Sequence, residues 1–168
     1  PGSDPFRSLA EQVAQLAPGG STLQTVDELT ARFAGRDDGL SSALGAYMAQ
    51  DPGAVLIVVD QFEELFTQTG VGQWRQIAAR FAANLAHAAA DPASPVKIVL
   101  TLRADFVATA LSVDGLAQLL QDNQLLLGSL TGDKLRDAIV QPAEKVGAFF
   151  EKGLVDTIVD DVDTEPGA

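Results

Sequence analysis

Apolar residues recur at helical spacing along most of the chain, and at two places that spacing gives way to a continuous β-branched run. Phe6, Leu9, Ala10, Val13 and Leu16 share one helical face, with Asp4 placed to cap it, Pro5 at its first turn and Pro18-Gly19-Gly20 to stop it. Thr25 and Glu28 have capping-box spacing ahead of Leu29 and Phe33, and Gly35 ends this second helix. A third helix carries Leu40, Leu44, Tyr47 and Met48 on one side before Asp51-Pro52-Gly53 turns the chain. At residues 54–60 the pattern becomes Val55-Leu56-Ile57-Val58-Val59, the run expected of a parallel strand buried on both faces, and residues 96–102 repeat it. Between the two runs, Trp74, Ile77, Ala78, Phe81 and Leu85 mark a helix over residues 73 to about 90, closed by Asp91-Pro92 and Ser94-Pro95. Strand, helix and strand in that order make a right-handed βαβ unit.

Residues 104–120 read as helical in pieces, and Leu125-Leu126-Leu127 as the opening of a third short strand. Thr131 starts another helix, with Leu135, Ala138 and Ile139 inward, which Pro142 ends or kinks. Residues 152–162 make the last helix, apolar along Leu154, Val155, Ile158, Val159 and Val162 and acidic at Asp156, Asp160 and Asp161. No internal repeat and no long linker interrupts the pattern, so residues 1–168 read as a single α/β domain whose C-terminal part, 131–168, is helical.

Composition narrows the function. The chain's 168 residues are 46% hydrophobic and 20% charged, enough to bury a core and unlike a disordered tail. Eleven basic against 23 acidic residues give a formal net charge of -12, which repels nucleic acid and anionic membrane at long range. There is no cysteine and one histidine, His87, so disulfides, thiolate metal sites and two-imidazole sites are excluded. His87 reads as solvated. With neither a basic leader nor a run of ~18 apolar residues, a soluble cytoplasmic protein is expected.

The densest candidate chemistry is VLIVVDQFEELF, an apolar strand that delivers Asp60 at its C-terminal end, with Glu63 and Glu64 one turn further on. Ligands of open α/β sheets bind beyond the carboxyl ends of the strands, where these acids fall. A strand ending in Asp is the Walker B pattern, in which the carboxylate holds the magnesium ion of a nucleotide and a nearby glutamate orients the attacking water. The plainer alternative is an Asp that only caps the next helix. The second strand ends TLRADF, bringing Arg103 to the same edge, where a guanidinium can meet a terminal phosphate. Its plainer alternative is a surface ion pair with Asp105 or Glu63, which contributes little to stability.

DQFEELF, TLRADF and the stretch SLTGDKLRDAIVQPAEKVGAFFEKGLVDTIVDDVDTEPGA together resemble the novel STAND NTPase domain of bacterial multidomain signalling proteins, over almost the whole chain. The resemblance implies a partial P-loop NTPase-like three-layer core, with parallel strands and flanking helices. It implies Mg2+ and ATP as cofactors, Asp60 as the magnesium acid, Glu63 or Glu64 as the water-positioning residue and Arg103 as the nucleotide sensor. It also implies a switch whose partners are other domains of the same polypeptide or other proteins. The phosphate-binding loop itself is missing: none of Lys97, Lys134, Lys145 or Lys152 is followed by Ser or Thr or follows a glycine-rich turn. In the family that loop lies upstream of the segment matching Pro1, so the sequence reads as a fragment that neither hydrolyses nor tightly binds ATP alone. The strand preceding that loop would lie beside the sensor strand, so an open apolar edge and self-association are expected. A different class of function, a non-catalytic acidic interaction module with a degenerate nucleotide fold, remains open.

Overall fold

A computed structural model of the chain describes residues 4–16, 22–67, 73–90 and 94–164. It divides into two compact units, Pro1–Gln124 and Leu125–Ala168. Two of the stop signals read from the sequence, Pro18-Gly19-Gly20 and Asp91-Pro92, lie outside the described residues, as do the last four residues of the resembling stretch, Glu165-Pro166-Gly167-Ala168.

In the first unit, helix α1 (Pro5–Ala14) begins as its sequence dictates: the Asp4 carboxylate accepts the Arg7 N–H, and Pro5 occupies the first turn. Helix α2 (Leu23–Gly35) starts one turn earlier than the Thr25–Glu28 spacing predicts. Its cap is Thr22, whose hydroxyl accepts the Thr25 N–H at 3.1 Å. The Thr25 hydroxyl is itself paired with the Thr22 hydroxyl at 2.8 Å, and Val26 and Phe33, seven residues apart, share the buried face. Helix α3 (Gly39–Met48) follows, then strand β1 (Val55–Val59), the single turn α4 (Glu64–Thr67), helix α5 (Trp74–Ala89) and strand β2 (Val96–Leu100). A 3-10 turn (Ala104–Phe106), α6 (Val107–Ala110) and α7 (Leu116–Asp122) complete the unit as the helical pieces expected there.

The two strands are parallel, with Val55 opposite Val96 and Val59 opposite Leu100. The α/β expectation is met as a helix-rich fold carrying a small two-stranded parallel sheet. Burial on both sheet faces is not met. Val55, Ile57 and Val59 of β1 and Val96, Ile98 and Leu100 of β2 join the core, whereas Leu56, Val58 and Val99 on the alternate face are 64%, 61% and 51% exposed. The core on the covered side is built on Phe33, Leu40, Leu44, Phe62, Leu65, Phe81 and Leu85. Asn84 of α5 sits among them, fully buried.

In the second unit no strand forms at residues 125–130: Leu125, Leu126 and Leu127 are exposed and join no ladder. An apolar triplet becomes a strand only where a neighbouring strand accepts its backbone groups. Helix α8 (Gly132–Lys145) runs through Pro142 instead of ending there. Pro142 removes the N–H that would reach the Ala138 carbonyl, and both residues face solvent, so water can satisfy that oxygen. Helix α9 (Leu154–Thr164) faces α8 with Val159 buried, and the Arg136 guanidinium donates to the Asp156 carboxylate between the two helices. Among the described residues no helix is long and apolar enough to cross a membrane.

Candidate functional site

The register of the sheet decides which side chains meet. Because Val59 lies opposite Leu100, the next residues, Asp60 and Thr101, face each other at the carboxyl edge. The ladder continues past the regular strands: Thr101 N–H donates to the Val59 carbonyl at 2.9 Å, and Phe62 N–H to the Thr101 carbonyl at 3.0 Å. Between these bonds the chain turns at Gln61, whose φ of 53° is left-handed, a conformation few side chains adopt without local support. The Gln61 N–H donates to both Asp60 Oδ1 at 3.1 Å and Thr101 Oγ1 at 2.9 Å, and the Thr101 hydroxyl donates to Asp60 Oδ1 at 2.6 Å.

The apolar letters of DQFEELF anchor this turn. Phe62 and Leu65 are fully buried. Phe62 lies 5.8 Å from Phe66 and 6.3 Å from Phe81 of α5, measured between ring centroids. Phe66 in turn meets Trp74 edge-on at 5.3 Å and stacks on Phe106 at 6.2 Å, tying the turn after β1 to the turn after β2. The polar letters are left at the edge. Asp60 is exposed, Glu64 opens α4 half-buried, and Glu63 is 8% exposed, its Oε2 accepting the Arg103 backbone N–H at 3.4 Å.

Glu63 and the Arg103 backbone therefore meet, and Asp60 lies at the same carboxyl edge, but the Arg103 side chain is engaged with other partners. Its guanidinium grips Asp105 bidentately, at 3.1 and 2.8 Å, and lies over the Phe106 ring at 5.7 Å. With side-chain exposures of 67% and 57%, this pair is screened by water and holds the arginine only loosely. His87, read as solvated, is exposed, and its Nδ1 lies 2.9 Å from the Ala83 carbonyl.

No group of three or more potential metal ligands occurs among the described residues, so the protein alone offers a cation a single-carboxylate contact there and no closed cage. The arrangement does suit a magnesium ion that arrives with phosphates, since such an ion takes one or two carboxylates and completes its shell with phosphate and water. Asp60 Oδ1 is engaged twice, and among the described residues Oδ2 accepts no hydrogen bond, which leaves one oxygen free for that purpose. Thr101 is the residue that sequence reasoning passed over. The one signal for it was a hydroxyl following a largely apolar strand, and it acquires meaning only once the register is known.

Comparison with curated proteins gave no match, and comparison with solved structures gave none either. The sequence model of the family described as Novel STAND NTPase 1 matches residues 1–168. As that match spans the whole chain, the protein belongs to the Novel STAND NTPase 1 family.

Proposed function

We propose that this chain is the acid-and-sensor part of a nucleotide-dependent signalling switch, acting within a longer bacterial cytoplasmic polypeptide that supplies the phosphate loop. The observation that carries the reading is the sheet register, which sets Asp60 and the turn bearing Arg103 at one carboxyl edge, with the Glu63 carboxylate accepting the Arg103 backbone N–H. Asp60 is the Walker B acid and holds the magnesium ion of bound ATP through Oδ2. Glu63 or Glu64 orients the attacking water; Glu63 is the better placed, because its carboxylate already reaches the Arg103 turn. Arg103 exchanges the exposed Asp105 pair for a terminal phosphate and so distinguishes ATP from ADP. The bare apolar face at Leu56, Val58 and Val99 supports a three-layer P-loop arrangement in which further elements of the polypeptide cover it.

Without a lysine-bearing loop the chain lacks most phosphate contacts, so calorimetry with Mg-ATP should detect no binding in the micromolar range. A micromolar dissociation constant for this chain alone would remove the requirement for the loop. In the loop-containing polypeptide, Glu63→Gln or Glu64→Gln should slow single-turnover hydrolysis with little change in affinity, and Arg103→Ala should bring the ATP and ADP affinities together. Normal hydrolysis in both glutamine variants would exclude a catalytic glutamate, and an unchanged affinity ratio would exclude the sensor role.

The same bare face favours one second reading: a protein-interaction module that keeps the strands without using nucleotide. It predicts no nucleotide response even when the upstream sequence is present.

A further inference from the structure

Thr101 makes a hydrogen bond to each of four successive residues in the turn opposite it. Its main chain meets Val59 and Phe62, and its hydroxyl meets Asp60 and Gln61. The main-chain pair would form with any residue at this position, since it only continues the parallel ladder. The side-chain pair needs a hydroxyl. A carboxylate can only accept, so the Thr101 O–H donates to Asp60 Oδ1, and the Thr101 oxygen keeps a lone pair for the Gln61 N–H. At 2.6 Å, the bond to Asp60 falls in the short range of charge-assisted O–H···O− bonds.

Asp60 has no comparable support from packing, because it is exposed. Its two Oδ1 contacts, from Thr101 and from the left-handed Gln61, are what define its orientation. They leave Oδ2 as the oxygen with no hydrogen bond among the described residues. A hard divalent cation needs an oxygen held in a fixed direction at short range, so the residue that fixes Oδ1 also determines what Oδ2 can bind. We propose that Thr101 is a positioning residue: its hydroxyl locks the Asp60 carboxylate so that Oδ2 alone is presented to a divalent cation. This rests on the reading of Asp60 as the magnesium acid.

The test uses the 168-residue chain and Mn2+ alone as the probe, reading paramagnetic broadening of the Gln61 and Phe62 amide protons by NMR. Broadening is expected in the unmodified chain and lost in Asp60→Asn. Thr101→Val keeps the side chain's shape and both main-chain bonds but leaves the Asp60 carboxylate with the Gln61 N–H contact alone, so broadening should fall, by up to about threefold if all three staggered wells become populated. Thr101→Ser restores the hydroxyl and should restore the broadening. Equal broadening in Thr101→Val and the unmodified chain, with Asp60→Asn still losing it, overturns the positioning role while leaving Asp60 as the metal acid. An equal fall in Thr101→Ser and Thr101→Val assigns the effect to the turn as a whole and also overturns it. If broadening at these amides survives in Asp60→Asn, the reading of Asp60 fails and the proposal fails with it, whereas its absence from the unmodified chain shows that Oδ2 is not presented and overturns the positioning role alone.

Discussion

Replacing Asn84 by leucine keeps the γ-branched outline of the side chain, slightly enlarged, and removes its amide, which tests the hydrogen bonds of the core beneath the site. Asn84 Oδ1 accepts the Leu40 N–H at 2.9 Å, and Nδ2 faces the carbonyls of Phe33 and Arg36 at 2.9 Å and of Arg80 at 3.0 Å. An amide has two N–H groups, so the three carbonyls share them. Phe33 and Arg36 lie at the end of α2 and Leu40 at the start of α3, where helices leave backbone groups without internal partners. One side chain on α5 thus caps two helix ends at once. Leucine would strand the Leu40 N–H and the Phe33 carbonyl in the interior, at about 1–3 kcal/mol each. Local relaxation recovers part of this, which gives about 3 kcal/mol in total. For a chain of this length the melting temperature should fall by about 6–12 °C. Urea unfolding followed by circular dichroism measures the loss directly, and an unchanged denaturant slope would show that the unfolded state was not altered. A loss below about 0.5 kcal/mol, the scale of a surface substitution, would refute the capping argument. The consequence reaches the site through Phe81, which stands on α5 with Asn84 and packs against Phe62 of the turn that carries Asp60 and Glu63.

Two further predictions follow from packing and from the strand edges. Gly39→Ala and Gly45→Ala fall in the same helix, α3, and should have opposite signs. A Cβ at Gly39 would come within 2.8 Å of the Arg32 carbonyl oxygen, costing about 1–3 kcal/mol, whereas at Gly45 it meets nothing within 4 Å, so alanine should stabilise by about 0.5–1 kcal/mol; chemical denaturation of both variants checks the pair, and a stabilising Gly39→Ala would contradict it. Among the described residues β2 pairs only with β1, and Leu56, Val58 and Val99 lie bare, so light scattering should report a mass that rises with concentration. A cooperatively unfolding monomer at every concentration would rule out this self-association.

The elements readable in advance were those whose signal is local. Asp4 with Pro5 announces a helix start through one carboxylate and one ring, and the two β-branched runs need no partner to be recognised. What stayed hidden depends on contacts across the chain. Thr22 and Thr25 offer equivalent hydroxyls, and the cap falls on Thr22, whose oxygen meets the Thr25 N–H. The leucine triplet at 125–127 looks like a strand until the absence of a neighbouring strand is known. Asn84 falls inside the Phe81–Leu85 stripe, where a polar residue reads as an interruption and is in fact a double cap. At the site, Asp60, Glu63 and Glu64 stand out because acids follow an apolar strand. Thr101 does not, because its role depends on which residue the register sets opposite it. Arg103 was legible as a cation at the right edge, yet its side chain lies against Asp105, the partner named by the plainer reading of the sequence.

The central claim is that Asp60 holds the magnesium ion of a bound nucleotide, and calorimetry of ATP binding with and without Mg2+ tests it most directly. The measurement compares the loop-containing polypeptide with its Asp60→Asn variant. One charged contact to the ion, about 1.5–3 kcal/mol, corresponds to a gain of roughly tenfold or more in affinity when Mg2+ is added. The account predicts that gain in the unmodified protein and its loss in Asp60→Asn, with metal-free binding little changed. An equal Mg2+-dependent gain in both proteins would contradict it.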